Sequence, residues 1–172
     1  MDLDFVVARM SDNRRVFEGL VRDVGNEQAR WKPSPAKWSI LEVINHLYDE
    51  EREDFRQRLE IVLADPTQPL PPIRPQEWVI ERAYNVRDLQ VSIDGFLGER
   101  EQSLLWLRSL PAPNWHHRHE RAGGSLSAGD LLASWLAHDF LHLRQLARLH
   151  WQYVGAISVP YDITYAGPWK ES

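Results

Sequence analysis

Apolar residues recur along this chain at intervals of three and four over four long stretches, and segments rich in proline or glycine separate the stretches. That period places one apolar stripe on each of four helices. The first helix is predicted over about 4–24, with Leu3, Val6, Met10, Phe17, Leu20 and Val24 on its stripe and Asn13 in the one polar slot; Gly25 and Asn26 suit its end. The second is predicted over about 39–64. It opens on Ser39-Ile40-Leu41-Glu42, a capping box, carries Ile40, Ile44, Leu47, Phe55, Leu59 and Val62, and stops at Asp65-Pro66. The third, over about 85–110, shows Leu89, Ile93, Phe96, Arg100, Leu104 and Leu107, and Pro111 and Pro113 end it. A Gly123-Gly124 turn leads to Ser127 and Asp130, a second cap, and to a fourth helix over about 128–153. No strand alternation and no internal repeat interrupts this order, so the expected fold class is all-α, a four-helix bundle.

The segment between the second and third helices, 66–84, contains five prolines and is too long for a tight hairpin. A helix of the predicted length is roughly 39 Å long, and an extended segment of that length reaches up to roughly 66 Å. It can run the length of the bundle and leave helices two and three parallel, an up-down-down-up arrangement. The remaining stretch, 154–172, reads as a loop with Tyr161, Tyr165 and Trp169, expected to pack back on the bundle or on a second copy in a homodimer.

At 172 residues and 43% hydrophobic content the chain is expected to form a single domain, 1–172. It has no cysteine, which excludes disulfides, thiolate ligands and a cysteine nucleophile and fits a reducing compartment. The start, Met1-Asp2-Leu3-Asp4, is acidic where a secretory segment is basic, and no apolar run approaches the roughly 18 residues of a membrane span, so a cytoplasmic location is expected. With a net charge of −5 and arginines scattered among acidic residues, neither nucleic acid nor membrane is an expected partner; a small-molecule substrate is.

Candidate chemistry lies in the fourth seam. Leu131, Trp135, His138, His142, Gln145 and Leu149 share one helix face, and imidazoles at i and i+4 project side by side, close enough for one metal ion. A third ligand must come from a facing helix, and His46, on the flank of the second helix's apolar arc, is the candidate. Three imidazoles leave coordination positions open, the pattern of a catalytic site. They suit a divalent transition metal, zinc, nickel, copper or iron, with zinc or nickel expected first. The plainer reading is a set of hydrogen-bonded core histidines. Arg100 and Gln145 are polar residues in apolar seams, explained either by a wet cavity or by structural pairing. Glu50, one turn after His46, could orient that imidazole or act as a base, although Asp49, Glu51, Glu53 and Asp54 around it read as a solvated face. His116, His117 and His119 read as a surface loop, and His150 lies roughly 12 Å up the helix from His142. Asp139 stands where a zinc protease has its glutamate, but the other protease features are absent, and no Glu-x-x-His motif supports a di-iron centre.

Trp38-Ser39 with His46 seven residues on, Arg100, the Gly123-Gly124-Ser125-Leu126 turn, the run from His138 to Leu146, and Tyr165-Ala166-Gly167-Pro168-Trp169 together resemble the DinB-like family over nearly the whole chain. The resemblance implies a bundle with parallel second and third helices and a metal held by His46, His138 and His142. It also implies one of several chemistries, since some members are S-transferases or isomerases working with low-molecular-weight thiols and others are hydrolase-like. The expectation is therefore a metal-dependent enzyme in which His46, His138 and His142 activate water or a thiol, with Arg100, Glu50 and Gln145 as catalytic candidates and Arg100 meeting substrate charge. The alternative is a non-catalytic binding or dimerisation module that a metal only stabilises.

Overall fold

A side-chain cap starts each long helix. Asp2 accepts from the backbone N–H of Asp4 and starts α1 (Leu3–Val21), and Asp88 accepts from Val91 and starts α6. The computed structural model describes residues 2–170. After α1 comes a short α2 (Asn26–Arg30), then α3 (Ile40–Asp49), which continues through a π-helical segment (Glu50–Phe55) into α4 (Arg56–Ala64). The crossover carries a further short helix, α5 (Pro75–Glu81), before α6 (Leu89–Ser109). A hairpin, β1 (Arg118–Arg121) paired antiparallel with β2 (Gly124–Ser127), feeds α7 (Ala128–Ile157).

Side-chain pairs fix the direction of each helix. Asn45 bonds Ser92, Glu51 bonds Arg100 and Arg56 bonds Ser103, so residue numbers rise together along the α3–α4 rod and α6, and the two run parallel. Asn13 meets Asp139 and Leu20 meets His150, so α1 and α7 are parallel as well. Against α6, α1 is antiparallel, since Arg14 reaches Leu97 whereas Arg22 reaches Asp94 and Gln90. The result is the up-down-down-up four-helix bundle with a crossover between its second and third rods.

Two apolar clusters fill the bundle. One gathers Phe17, Ile44, Phe96 and Leu146 with their neighbours, and the other Met10, Leu59, Leu104 and Trp135 with theirs. Between them lies a polar layer in which every rod takes part: Asn13 from α1, Glu51 from the π segment, Arg100 from α6 and Asp139 from α7. The Arg100 guanidinium grips both carboxylates, donating to Glu51 at 2.8 and 2.9 Å and to Asp139 at 2.7 Å twice. Asn13 donates to Asp139 at 3.0 Å and the Trp135 indole to Glu51 at 3.1 Å, so the buried charges are paired and hydrogen-bonded.

Several elements differ from the periodicity reading. The hairpin is absent from it because four-residue strands with mostly polar side chains carry no alternation to read; Ala122 and Gly123 (φ 90°) make its turn, and Gly124 (φ 139°) opens β2. The first helix ends before Val24, where Gly25 instead starts α2, and the fourth runs on to Ile157. The crossover is partly helical, with Pro75 at the first turn of α5 and Trp78, Val79 and Tyr84 in a small cluster against Trp38. The acidic run of the second rod is not a solvated face, because Asp49, Glu50, Glu51 and Asp54 are all buried. Asp49 accepts from Tyr84 at 2.5 Å, Arg82 at 2.6 Å and Arg52 at 2.8 Å, partners that the crossover and a neighbouring turn supply. In the tail, Tyr161 and Tyr165 are exposed, and Trp169 packs on Trp151 with ring centroids 6.0 Å apart.

Candidate metal centre

The three histidines are delivered by two capped helices. Ser39 accepts from the Glu42 N–H at 3.1 Å and Glu42 accepts from the Ser39 N–H at 2.8 Å, so the capping box starts α3 seven residues before His46. Asn45, beside it, donates to Ser92 at 3.0 Å and accepts from Arg87 at 3.0 Å, which anchors this stretch of α3 to α6. Ser127 and Asp130 form the equivalent box at the start of α7. The π segment begins immediately below His46, and its wider turn lets consecutive glutamates serve different partners: Glu50 lines a cavity with the histidines while Glu51 binds Arg100 in the core.

One ligand atom from each of His46, His138 and His142 lies within 4.8 Å of the others. Ligands of a tetrahedral zinc ion stand about 3.3 Å apart, so a small rotation of one ring closes the set. The Nε2 atoms of His138 and His142 face each other at 3.0 Å. Gln145 Oε1 sits 2.7 Å from His142 Nδ1; the Nδ1–H donates to it, and the Nε2 lone pair is thereby aimed at the common point. His46 Nδ1 and Glu50 Oε1 are buried, lack a hydrogen-bond partner and stand 3.9 Å apart. Orphaned buried polar atoms are rare in folded proteins, and two of them at this site mark a place for another group. An all-imidazole donor set with orphaned polar atoms beside it fits a borderline transition metal.

Electrostatics favours the ligating form of each ring. Burial, reinforced by the two neighbouring histidines, pushes His46 down to about 2. Burial, with His142 and Arg100, pushes His138 down to about 3. His142 is lowered by burial against the opposing hydrogen bond to Gln145 and the charge of Asp139. All three are neutral at physiological pH, as ligation requires. Glu50 moves the other way: burial first, then a hydrogen bond to Asp54, raises it to about 9. Asp54, itself raised by burial, is held by Arg58 at 2.6 Å.

The site opens into a cavity of about 740 Å³ whose walls include Trp38, Leu141 and Trp169. The Trp38 ring lies 4.9 Å from that of His46 on the cavity wall, and Phe55, 5.0 Å from His138 and stacked on Trp135, closes the inner side. Of the residues expected here, His46, Glu50, His138, His142 and Gln145 line this cavity. Arg100 does not. It is 1% exposed and its donors are taken by Glu51 and Asp139, so it cannot meet substrate charge; the polar slot in its seam reflects structural pairing. Asp139 is likewise engaged in the core. His150 bonds Gln28 and the Leu20 carbonyl, and the half-buried His117 and His119 bond the carbonyls of Leu63 and Pro66, tying the hairpin region to the end of α4. Sequence reading missed Asp54 as the partner of Glu50, although their i,i+4 spacing was a usable signal.

The orienting role of Gln145 predicts a measurable effect. Gln145→Ala is expected to weaken metal affinity about 10–100-fold, the usual cost of losing an outer-shell partner of a ligating histidine. Gln145→Glu, which keeps an acceptor, should recover most of it. Competition with a chelator reads both, and an alanine variant as tight as wild type would refute the role.

An up-down-down-up bundle in which imidazoles from two rods converge on a cavity floor is the kind of arrangement in which helical proteins can build metal centres between facing helices. The chain belongs to the DinB superfamily, whose family model matches residues 9–146. It is 25% identical over 144 residues to an Oceanobacillus iheyensis protein named "Putative metal-dependent hydrolase OB0782", covering 83% of each chain. Its fold is similar to that of YfiT from Bacillus subtilis, described as a probable metal-dependent hydrolase with an unusual four-helix bundle topology, with a TM-score of 0.74 at 15% identity over 86% of this chain and 85% of the other.

Proposed function

We propose that this chain is a metal-dependent hydrolase acting on a small molecule in the cavity at the mouth of the bundle. The observation that carries the reading is the convergence of three neutral imidazoles, with no further His, Cys, Asp or Glu joining them among the described residues. His46, His138 and His142 would hold the ion, with zinc or nickel the best match to the donors and iron acceptable. A bound divalent ion supplies Lewis acidity at the positions the protein leaves open, which activates water and would equally activate a thiol. The chain's own residues do the rest. Gln145 holds the His142 tautomer. Glu50, kept protonated by burial and by Asp54, faces the cavity as a proton donor for a leaving group, the reverse of the base role its sequence position suggested. Phe55 limits water on the inner side, and Trp38 narrows the cavity beside His46.

Protein purified without a metal-affinity column is expected to carry about one divalent ion per chain, lost in His138→Ala. Ester and amide substrates, each with water alone or with an added thiol acceptor, should turn over only with metal present. Glu50→Gln should lower kcat while keeping the metal. Turnover that needs the thiol would move the chain to the transferase reading. Metal that raises Tm without turnover of any substrate would overturn the enzyme reading in favour of a stabilised binding module.

A further inference from the structure

The walls of the cavity are cationic although the protein is not. Over the whole chain acidic residues outnumber basic ones and the net charge is −5. Around the cavity the balance reverses: Lys37, Arg144, Arg148 and Lys170 line it, and among the described residues Glu50 is the one carboxyl residue in its lining. These cations come from three separate parts of the fold, the loop before α3, the α7 helix and the tail beyond it. On α7, Leu141, Arg144 and Arg148 follow one another at three-four spacing and form a stripe beside that of His138, His142 and Gln145, so the cationic stripe and the imidazole stripe border the same space. Lys37, Arg144 and Lys170 are exposed and have no carboxylate ion-pair partner among the described residues. Other arginines of the rods are held in ion pairs, as Arg22 is with Asp94, Arg56 with Glu99 and Arg58 with Asp54. Like charges collected round a concave mouth raise the local concentration of an oppositely charged ligand and orient it on entry.

We infer that the substrate is a small organic anion whose carboxylate or phosphate is held at the rim by Lys37 and Arg144, with Lys170 closing the third side, while its reacting group reaches the histidines. This inference deepens the hydrolase reading and rests on it for the reacting group, but the rim can be tested without metal or turnover. The guanidinium of Arg144 matches either anion with paired N–H donors, and Lys37 and Lys170 act as mobile point charges. Trp38, Leu141 and Trp169 supply apolar wall between rim and floor, which suits a ligand with a hydrocarbon or aromatic body.

The test uses metal-free full-length protein with succinate, inorganic phosphate and the uncharged succinamide, with binding followed by calorimetry at two salt concentrations. Succinate or phosphate should bind in the millimolar range and weaken as salt rises, the tighter of the two indicating the class of anion, and succinamide should bind at least tenfold more weakly. The pair Lys37→Glu and Arg144→Glu should reduce anion affinity at least tenfold with unchanged helicity and unchanged metal uptake. Lys37→Gln with Arg144→Gln, a milder change at the same exposed positions, should give an intermediate loss. Equal binding of succinate and succinamide, no binding of either anion, or full affinity in the reversed-charge variant would each overturn the inference. Metal content of the same preparations separates the two failures. A chain that takes up no metal yet binds succinate loses the hydrolase reading alone, and one that loads metal but ignores every anion loses only the rim.

Discussion

Arg100→Met is expected to destabilise the fold by about 3–5 kcal/mol, because it leaves two buried carboxylates without their counter-charge. Glu51 is 2% exposed and Asp139 is 0% exposed, and Arg100 is the cation that pairs with both. Asn13 and Trp135 would remain as donors, one to each carboxylate, too few to solvate two charges. For a chain of this length each kcal/mol moves Tm by about 2–4 °C, so a fall on the order of 10 °C should accompany the loss. The same substitution combined with Glu51→Met and Asp139→Leu should recover much of the stability, since a whole ionic cluster exchanged for apolar side chains is often neutral. Urea unfolding of the single and triple variants measures both. A single variant within about 1 kcal/mol of wild type would show that the cluster is solvated in a way its burial contradicts. Because Arg100 faces away from the cavity, folded Arg100→Met should still take up metal; a substrate-binding arginine at the mouth would show the opposite pattern, stable protein with impaired substrate affinity.

How far this arrangement is written into the chain depends on the kind of signal. Each of three seams has a polar interruption near its middle, Asn13, Arg100 and His138 with His142, and the bonds of Asn13 and Arg100 to Asp139 show the fold bringing them to one level. Period alone therefore singled out Asn13, Arg100, His138 and His142 as polar interruptions, but not that Asn13 and Arg100 join Glu51 and Asp139 in one buried layer. His46 was legible only by its place on the flank of an apolar arc and by resemblance to a family. The acidic run was not legible, because its burial depends on partners remote in sequence: Arg82 and Tyr84 for Asp49, and Arg100 for Glu51. The π segment compounds this, since one residue more per turn shifts the phase of the stripe just where Glu50 and Glu51 diverge. The cationic rim was invisible for a similar reason. Lys37, Arg144 and Lys170 come from three elements, and only the fold makes them neighbours.

The buried histidines predict how metal-free protein responds to acid. In the unfolded chain each imidazole titrates near 6.5, whereas in the fold His46 is held down to about 2 and His138 to about 3, and His142 is lowered as well. Below about pH 6.5 the unfolded chain therefore binds more protons at these positions than the folded one, and folding stability falls as pH falls. Glu50 acts in the opposite direction. Raised to about 9, it keeps its proton in the fold while the unfolded carboxyl loses it, so its contribution is complete below about pH 4.5 and is lost as pH rises through about 9. Near pH 5.5 the protons that His46 and His138 shed on folding outnumber the one that Glu50 keeps, and His142 adds in the same direction, so the net effect is a loss on the order of 1 kcal/mol per pH unit as pH falls. Urea unfolding of metal-free protein at pH 7, 6 and 5 should show that decline, and His46→Gln, which removes one of the groups held far down, should make it clearly shallower. Zinc at a hundredfold excess over its dissociation constant should add about 2.7 kcal/mol at pH 7, and that increment should shrink toward pH 5 because ligation requires imidazoles that have shed their protons. A stability profile flat between pH 7 and pH 5 would mean that the rings reach solvent in the fold. The convergence on one metal would then lose its electrostatic basis.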